Sequence, residues 1–183
     1  MKYLIFLFIV IFGIKGISET SFSLFEYPKK WKNQNNEIKH FSDFSGDFYL
    51  LSMVYTSCPH SCPLTIAKVQ EIKSFLSKSG FSNIKIVLAS FDDEVDTPNH
   101  LKQFIKKRKL DEKQWMFLSP SSQKDARELA VVLGISYKKL GAGDFSHSNV
   151  ISLVGPNGRI LAQTKSLTED IGVFKVAMEK TKK

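Results

Sequence analysis

The pattern of apolar and polar positions along this chain switches repeatedly between a strand period and a helix period. The dense apolar run from Phe48 to Tyr55 reads as a buried strand. In 64–78 the apolar residues Ile66, Val69, Ile72 and Leu76 recur at helical spacing, and Gly80 supplies a stop. Ile84 to Ser90 is rich in β-branched residues and reads as a second strand. Thr97 and Pro98 form an N-cap and a first-turn proline, opening a helix with Leu101, Phe104 and Ile105 on its inner face. A short strand is expected over 115–118. Ser122 and Asp125 have capping-box spacing, ahead of a helix in which Ala126, Leu129, Ala130 and Leu133 share a face. The segments 149–154 and 160–164 flank Gly155-Pro156-Asn157-Gly158, a hairpin signal. A last helix after Thr168 turns Ile171, Phe174 and Met178 inward.

That order predicts an α/β, thioredoxin-like fold, with a central mixed sheet, flanking helices and a C-terminal hairpin plus helix. The site of such a fold follows the first core strand. At that place lies Tyr55-Thr56-Ser57-Cys58-Pro59-His60-Ser61-Cys62-Pro63, with the only two cysteines of the chain. A strand delivers both thiols to a helix N-terminus, where the dipole favours thiolate. A thiolate is a nucleophile and a soft metal ligand, so the placement points to redox chemistry, metal chemistry or both. The bland alternative is a structural disulfide. Three intervening residues set the cysteines about one helical turn apart, so both sulfurs can converge on one ion. The tighter Cys-x-x-Cys spacing favours disulfide exchange instead, although the wider loop does not forbid it.

The amino terminus suggests a compartment. Met1-Lys2 precedes twelve apolar residues, Tyr3 to Ile14, and Lys15 ends the run. This reads as a signal peptide over 1–18, cut after Ser18, or as a short retained membrane anchor. No cysteine lies near its end, which excludes lipid attachment at a signal-peptide cysteine. The expected setting is export, with a single domain over 19–183 in or facing the periplasm. A working dithiol in an oxidising compartment needs a metal or a dedicated reductant. The net charge of +8 falls to +6 without Lys2 and Lys15. It is scattered lysine, as in Lys106-Lys107-Arg108-Lys109, with no aromatic interleaving, so nucleic acid is not expected as a partner. An anionic membrane surface or an acidic partner is compatible with it.

The residues together resemble the Sco (SenC-like) family. The resemblance runs from about Ser23 to Leu167, through Ser23-Leu24-Phe25, Trp31-Lys32-Asn33-Gln34, the cysteine motif, the acidic segment from Ser90 to Pro98, and His147-Ser148-Asn149. It implies a thioredoxin-fold protein handling copper for the dinuclear copper centre of cytochrome c oxidase. It makes Cys58, Cys62 and His147 the metal ligands, with Cys58 and Cys62 also a redox-active pair. Two thiolates and an imidazole suit Cu(I), and a fourth oxygen or nitrogen ligand extends the set to Cu(II). His60 stands where many family members carry Asp, and is expected to tune the thiolates or add a ligand. Asp92 is expected to support a ligand by hydrogen bonding, and Asp96 to favour the following helix N-terminus. His40 and His100 read as surface residues; Tyr55, Phe91 and Phe145 read as core or pocket walls.

Three functions compete. The first is a copper metallochaperone for an apo-cuproenzyme such as a cytochrome c oxidase subunit, served by an upstream copper donor or thiol reductant. The second is a thiol–disulfide oxidoreductase acting on the client's metal-ligand cysteines. The third is a copper or redox sensor. His147 discriminates, since a reductase has no need of it.

Overall fold

The computed structural model describes residues 22–58, 61–140 and 144–182. The signal-peptide or anchor reading over 1–18 and the role expected of His60 fall outside the described residues.

Parallel strands β3 (Phe48–Val54), β4 (Ile84–Ser90) and β5 (Trp115–Pro120) form the centre of a seven-stranded mixed sheet. They are joined by crossovers through α1 (Ser61–Lys78) and α2 (Pro98–Lys107). Buried on both faces, β3 and β4 are almost continuously apolar, as parallel strands require. Leu50, Leu51, Ile86, Val87 and Leu88 are all essentially without solvent contact. Each such side chain contributes about 1.5–3 kcal/mol through burial. Beyond β5 the sheet adds β1 (Trp31–Asn33), antiparallel to it, and then β2 (Ile38–Lys39). On the other side the hairpin β8 (Ile151–Val154) and β9 (Ile160–Thr164) runs antiparallel from β3. Helix α3 (Gln123–Val132) packs on β5, and α4 (Gly172–Lys180) packs on β9 and α1. A separate ribbon pairs β6 (Tyr137–Lys139) with β7 (Phe145–His147).

The expected elements are present, including the hairpin and the terminal helix. Thr97 and Ser122 accept amide hydrogens from His100 and Asp125 as N-caps of α2 and α3. Gly80, at φ +88°, ends α1, where the Phe81 amide reaches the Leu76 carbonyl and the Gly80 amide the Ser77 carbonyl. Several boundaries differ from expectation: β8 begins at Ile151 rather than 149, α4 begins at Gly172 rather than just after Thr168, and two further differences have a clear cause. Helix α1 begins at Ser61 rather than near Leu64, because Cys62 and Pro63 occupy first-turn positions where proline's missing N–H costs nothing. β5 extends to Pro120 because β1 pairs along its outer edge.

Candidate metal and thiol site

The site lies outside the carboxyl ends of β3 and β4, where open α/β sheets place their ligands. Cys58 follows β3, and Cys62 sits in the first turn of α1. Both thiols are reduced and buried, at 6% and 2% exposure. The Cys62 amide donates to Cys58 Sγ at 3.4 Å, where a capping oxygen would otherwise sit. The Tyr55 amide donates to Cys62 Sγ at 3.3 Å. The two sulfurs are therefore held by one short loop against one helix end. Burial nevertheless raises the Cys62 pKa, partly countered by the Tyr55 amide; Cys58 and the Asp96 charge raise it further. The thiolate expected from the helix dipole is thus overridden at Cys62. Burial in a dry environment outweighs the positive helix end there.

His147 ends β7, half-buried beside the same loop. Its ring lies 4.9 Å from Phe91 and 6.0 Å from Tyr55, centroid to centroid. Its Nδ1 is 3.1 Å from the Ser148 carbonyl, which can only accept, so Nδ1 carries the proton and the lone pair is on Nε2. Burial lowers the His147 pKa. A neutral imidazole presenting Nε2 is the form that ligates metals. Tyr55, Phe91 and Phe145 are buried walls, as expected, with Tyr55 and Phe145 meeting edge to face at 5.0 Å.

Three features escaped the sequence reading. Asp96, fully buried, accepts from the Thr56 amide at 3.0 Å and from the Thr56 and Ser90 hydroxyls. Its carboxylate therefore clamps the cysteine loop to the end of β4 instead of serving α2, and burial raises its pKa. The Tyr55 hydroxyl donates to Asp144 and also hydrogen-bonds the Cys58 thiol, tying the cysteine loop to the segment that leads into His147. Thr65 in α1 donates to Asn149 at 3.3 Å, pinning the far side of the same segment. The only sequence signal was the proximity of Asn149 to His147. Asp92 is buried and caps a local turn, accepting from the Glu94 and Val95 amides. His100 is exposed and His40 half-buried before a short 3-10 turn, both away from the thiols' hydrogen bonds.

Among the described residues, no three His, Cys, Asp or Glu side chains lie close enough to hold a metal ion. The structure brings the two cysteines together and sets His147 beside the Tyr55 ring, which precedes them in the chain. The donor set itself, two sulfurs and one imidazole nitrogen, matches a soft or borderline ion.

A mixed thioredoxin-like sheet with a buried dithiol at the strand–helix junction, overlooked by a histidine on a separate ribbon, defines a class of thiol and metal proteins. The chain matches the SCO1/SenC family model over residues 23–180 and belongs to that family. It is 29% identical over 160 residues to the SCO1 protein homolog of Bacillus subtilis strain 168, covering 86% of this chain and 82% of the relative. Among solved structures it resembles Arabidopsis thaliana ScoI with copper bound, with TM-score 0.72 and 18% identity, over 85% of this chain and 97% of that one. It also resembles BsSco, described with a disulfide switch as a member of the Sco family of cytochrome c oxidase assembly proteins. There the TM-score is 0.71 at 24% identity, over 88% and 93% of the two chains.

Proposed function

We propose that this protein is a copper carrier that holds the ion on Cys58, Cys62 and His147 and passes it to a client cuproenzyme, the dinuclear copper site of cytochrome c oxidase being the leading one. The observation that carries this reading is the third donor. A dithiol alone would serve disulfide exchange, but a neutral histidine with its lone pair on Nε2, walled by Phe91 and Tyr55, has no part in that chemistry. Family membership and the copper-bound ScoI structure of similar fold support it. The cysteine pair takes Cu(I) first, since soft sulfur prefers it, and His147 closes the set as the third ligand. Cu(II) is held with one further oxygen or nitrogen ligand. The protein acts after export, in or facing the periplasm, with a copper donor or thiol reductant upstream.

Reduced protein is expected to retain one copper. Cys58→Ser and Cys62→Ser should abolish tight Cu(I) retention. His147→Ala should weaken it by at least the ~10–100-fold ascribed to outer-shell partners of a metal site. Competition with a chromogenic Cu(I) chelator measures all three, and an unchanged affinity in His147→Ala removes that residue from the ligand set.

A thiol–disulfide role is the second reading, favoured by the i, i+4 stacking of Cys58 Sγ on the Cys62 amide. Mass spectrometry of air-exposed, copper-free protein should then find an intramolecular Cys58–Cys62 bond. Client reduction by the His147→Ala variant at the wild-type rate would favour this role over copper transfer.

A further inference from the structure

Beside the thiol loop, on the side of α2, runs a groove of about 740 Å³, within the size range of ligand sites. One wall is Thr56 and Ser57, so the groove ends one residue short of Cys58. The other wall is α2 and its C-cap residue, which present His100 and Lys107 from the helix and Arg108 from the cap, spaced to share a face. Phe104 lies between the walls, with the Arg108 guanidinium 5.0 Å from the centre of its ring. No carboxylate lines the groove among the described residues, and none is within ion-pair distance of His100, Lys107 or Arg108. Some exposed lysines elsewhere, such as Lys32 and Lys165, also have no carboxylate within ion-pair distance among the described residues, whereas Lys29 is matched with Asp125 and Glu128, Lys85 with Asp47, and Lys139 with Glu94. On the other side of the site, Glu94 is neutralised by that last pair. Lys107 and Arg108 set two adjacent positive charges, with no carboxylate in the groove lining, along one approach to Cys58.

We propose that this groove is the docking surface for an acidic segment of the protein partner that exchanges copper with Cys58 and Cys62. The inference rests on the copper-carrier reading for the partner's purpose, and on the groove alone for its chemistry. Carboxylates meeting Lys107 and Arg108 pair with charges that have no carboxylate within ion-pair distance among the described residues, at little cost in broken contacts. The Arg108–Phe104 stack fixes the guanidinium and leaves its donors outward, so less freedom is lost when the partner arrives. A segment seated there sets the partner's own ligands within one residue of Cys58, which suits transfer through shared ligands.

The experiment uses reduced, copper-free, isotope-labelled protein titrated with an amidated hexaglutamate peptide and followed by amide NMR shifts. Shifts should concentrate on Thr56, Ser57 and α2. Lys107→Glu with Arg108→Glu should weaken binding by roughly tenfold or more, as reversed interfacial charges do. Lys32→Glu with Lys165→Glu, an equal change of net charge at exposed lysines elsewhere, should change it by less than about threefold. Equal weakening by the two double variants, or shifts spread over other lysine faces, overturns the proposal. So does tighter binding of a hexathymidylate strand, which would make the groove a nucleic-acid surface. Cu(I) affinity of both double variants should equal that of the wild type. If the wild type binds no copper while the peptide pattern holds, the groove stands and the copper reading falls.

Discussion

At the scale of single residues, two side chains decide the shape of the site without belonging to the donor set. Tyr55 spends its hydroxyl on Asp144 and Cys58 and its ring on Phe145 and His147. Tyr55→Phe keeps the ring and removes the tie. A net hydrogen bond contributes about 1 kcal/mol, so alkylation of Cys58 by iodoacetamide should accelerate roughly fivefold while the fold persists. An unchanged alkylation rate would show that the hydroxyl does not restrain the loop. Asp96 makes the complementary case. Its pKa is raised by burial, so its stabilising contribution is present below the ordinary carboxylate value and is lost as pH rises through the raised one. Asp96→Asn, which keeps an acceptor for the Thr56 amide, should flatten the decline of stability with rising pH above about 4. Asp96→Ala strands that amide and should cost about 1–3 kcal/mol at any pH. Urea unfolding at several pH values separates the two variants.

Elements bring in a different kind of constraint, the way each helix ends. Helices α1 and α3 close on Gly80 and Gly134 at positive φ, but α2 closes on Lys109 at φ +53°. The hydrogen bonds are the same: the Leu110 amide reaches the Ile105 carbonyl and the Lys109 amide the Lys106 carbonyl. A lysine there carries the steric cost of the left-handed region, which glycine lacks. Lys109→Gly should therefore stabilise by about 0.5–1 kcal/mol net of glycine's extra chain entropy, raising Tm by roughly 1–4 °C. A lower Tm would mean that the Lys109 side chain gives more than its backbone costs. The same elements show what was legible beforehand. Helices marked by Thr97, Ser122 and Gly80 announce themselves locally, as do strands as apolar as 84–90. Strands of two or three residues, such as Ile38–Lys39 and Tyr137–Lys139, carry no period to read and form because neighbouring strands offer them edges. The cysteine pair was legible from its motif, and His147 only through the family resemblance. The Asp96 clamp and the Tyr55–Asp144 tie join residues 40 and 89 positions apart, for which local sequence holds no signal.

Taken whole, the molecule stores its cysteines dry, and that choice sets how it should load. The central sheet and α1 bury Cys62 so completely that its thiol pKa is pushed well above the ordinary 9.0. Copper binds thiolate, so loading at neutral pH must expel at least the Cys62 proton. His147, held below its ordinary 6.5 by burial, is already neutral over pH 7–8 and releases none there. The sign follows: apparent Cu(I) affinity should rise with pH, about tenfold per unit for each proton displaced, and fall toward acid. Proton release measured at constant pH during titration with Cu(I) should give one or two equivalents per copper, and His147→Ala should release the same number while binding more weakly. Cys62→Ser should lose one equivalent. Affinity independent of pH between 6.5 and 8, with no proton released, would mean that both thiols are already ionised in the resting protein. Burial would then be losing to the helix end and the Tyr55 amide after all.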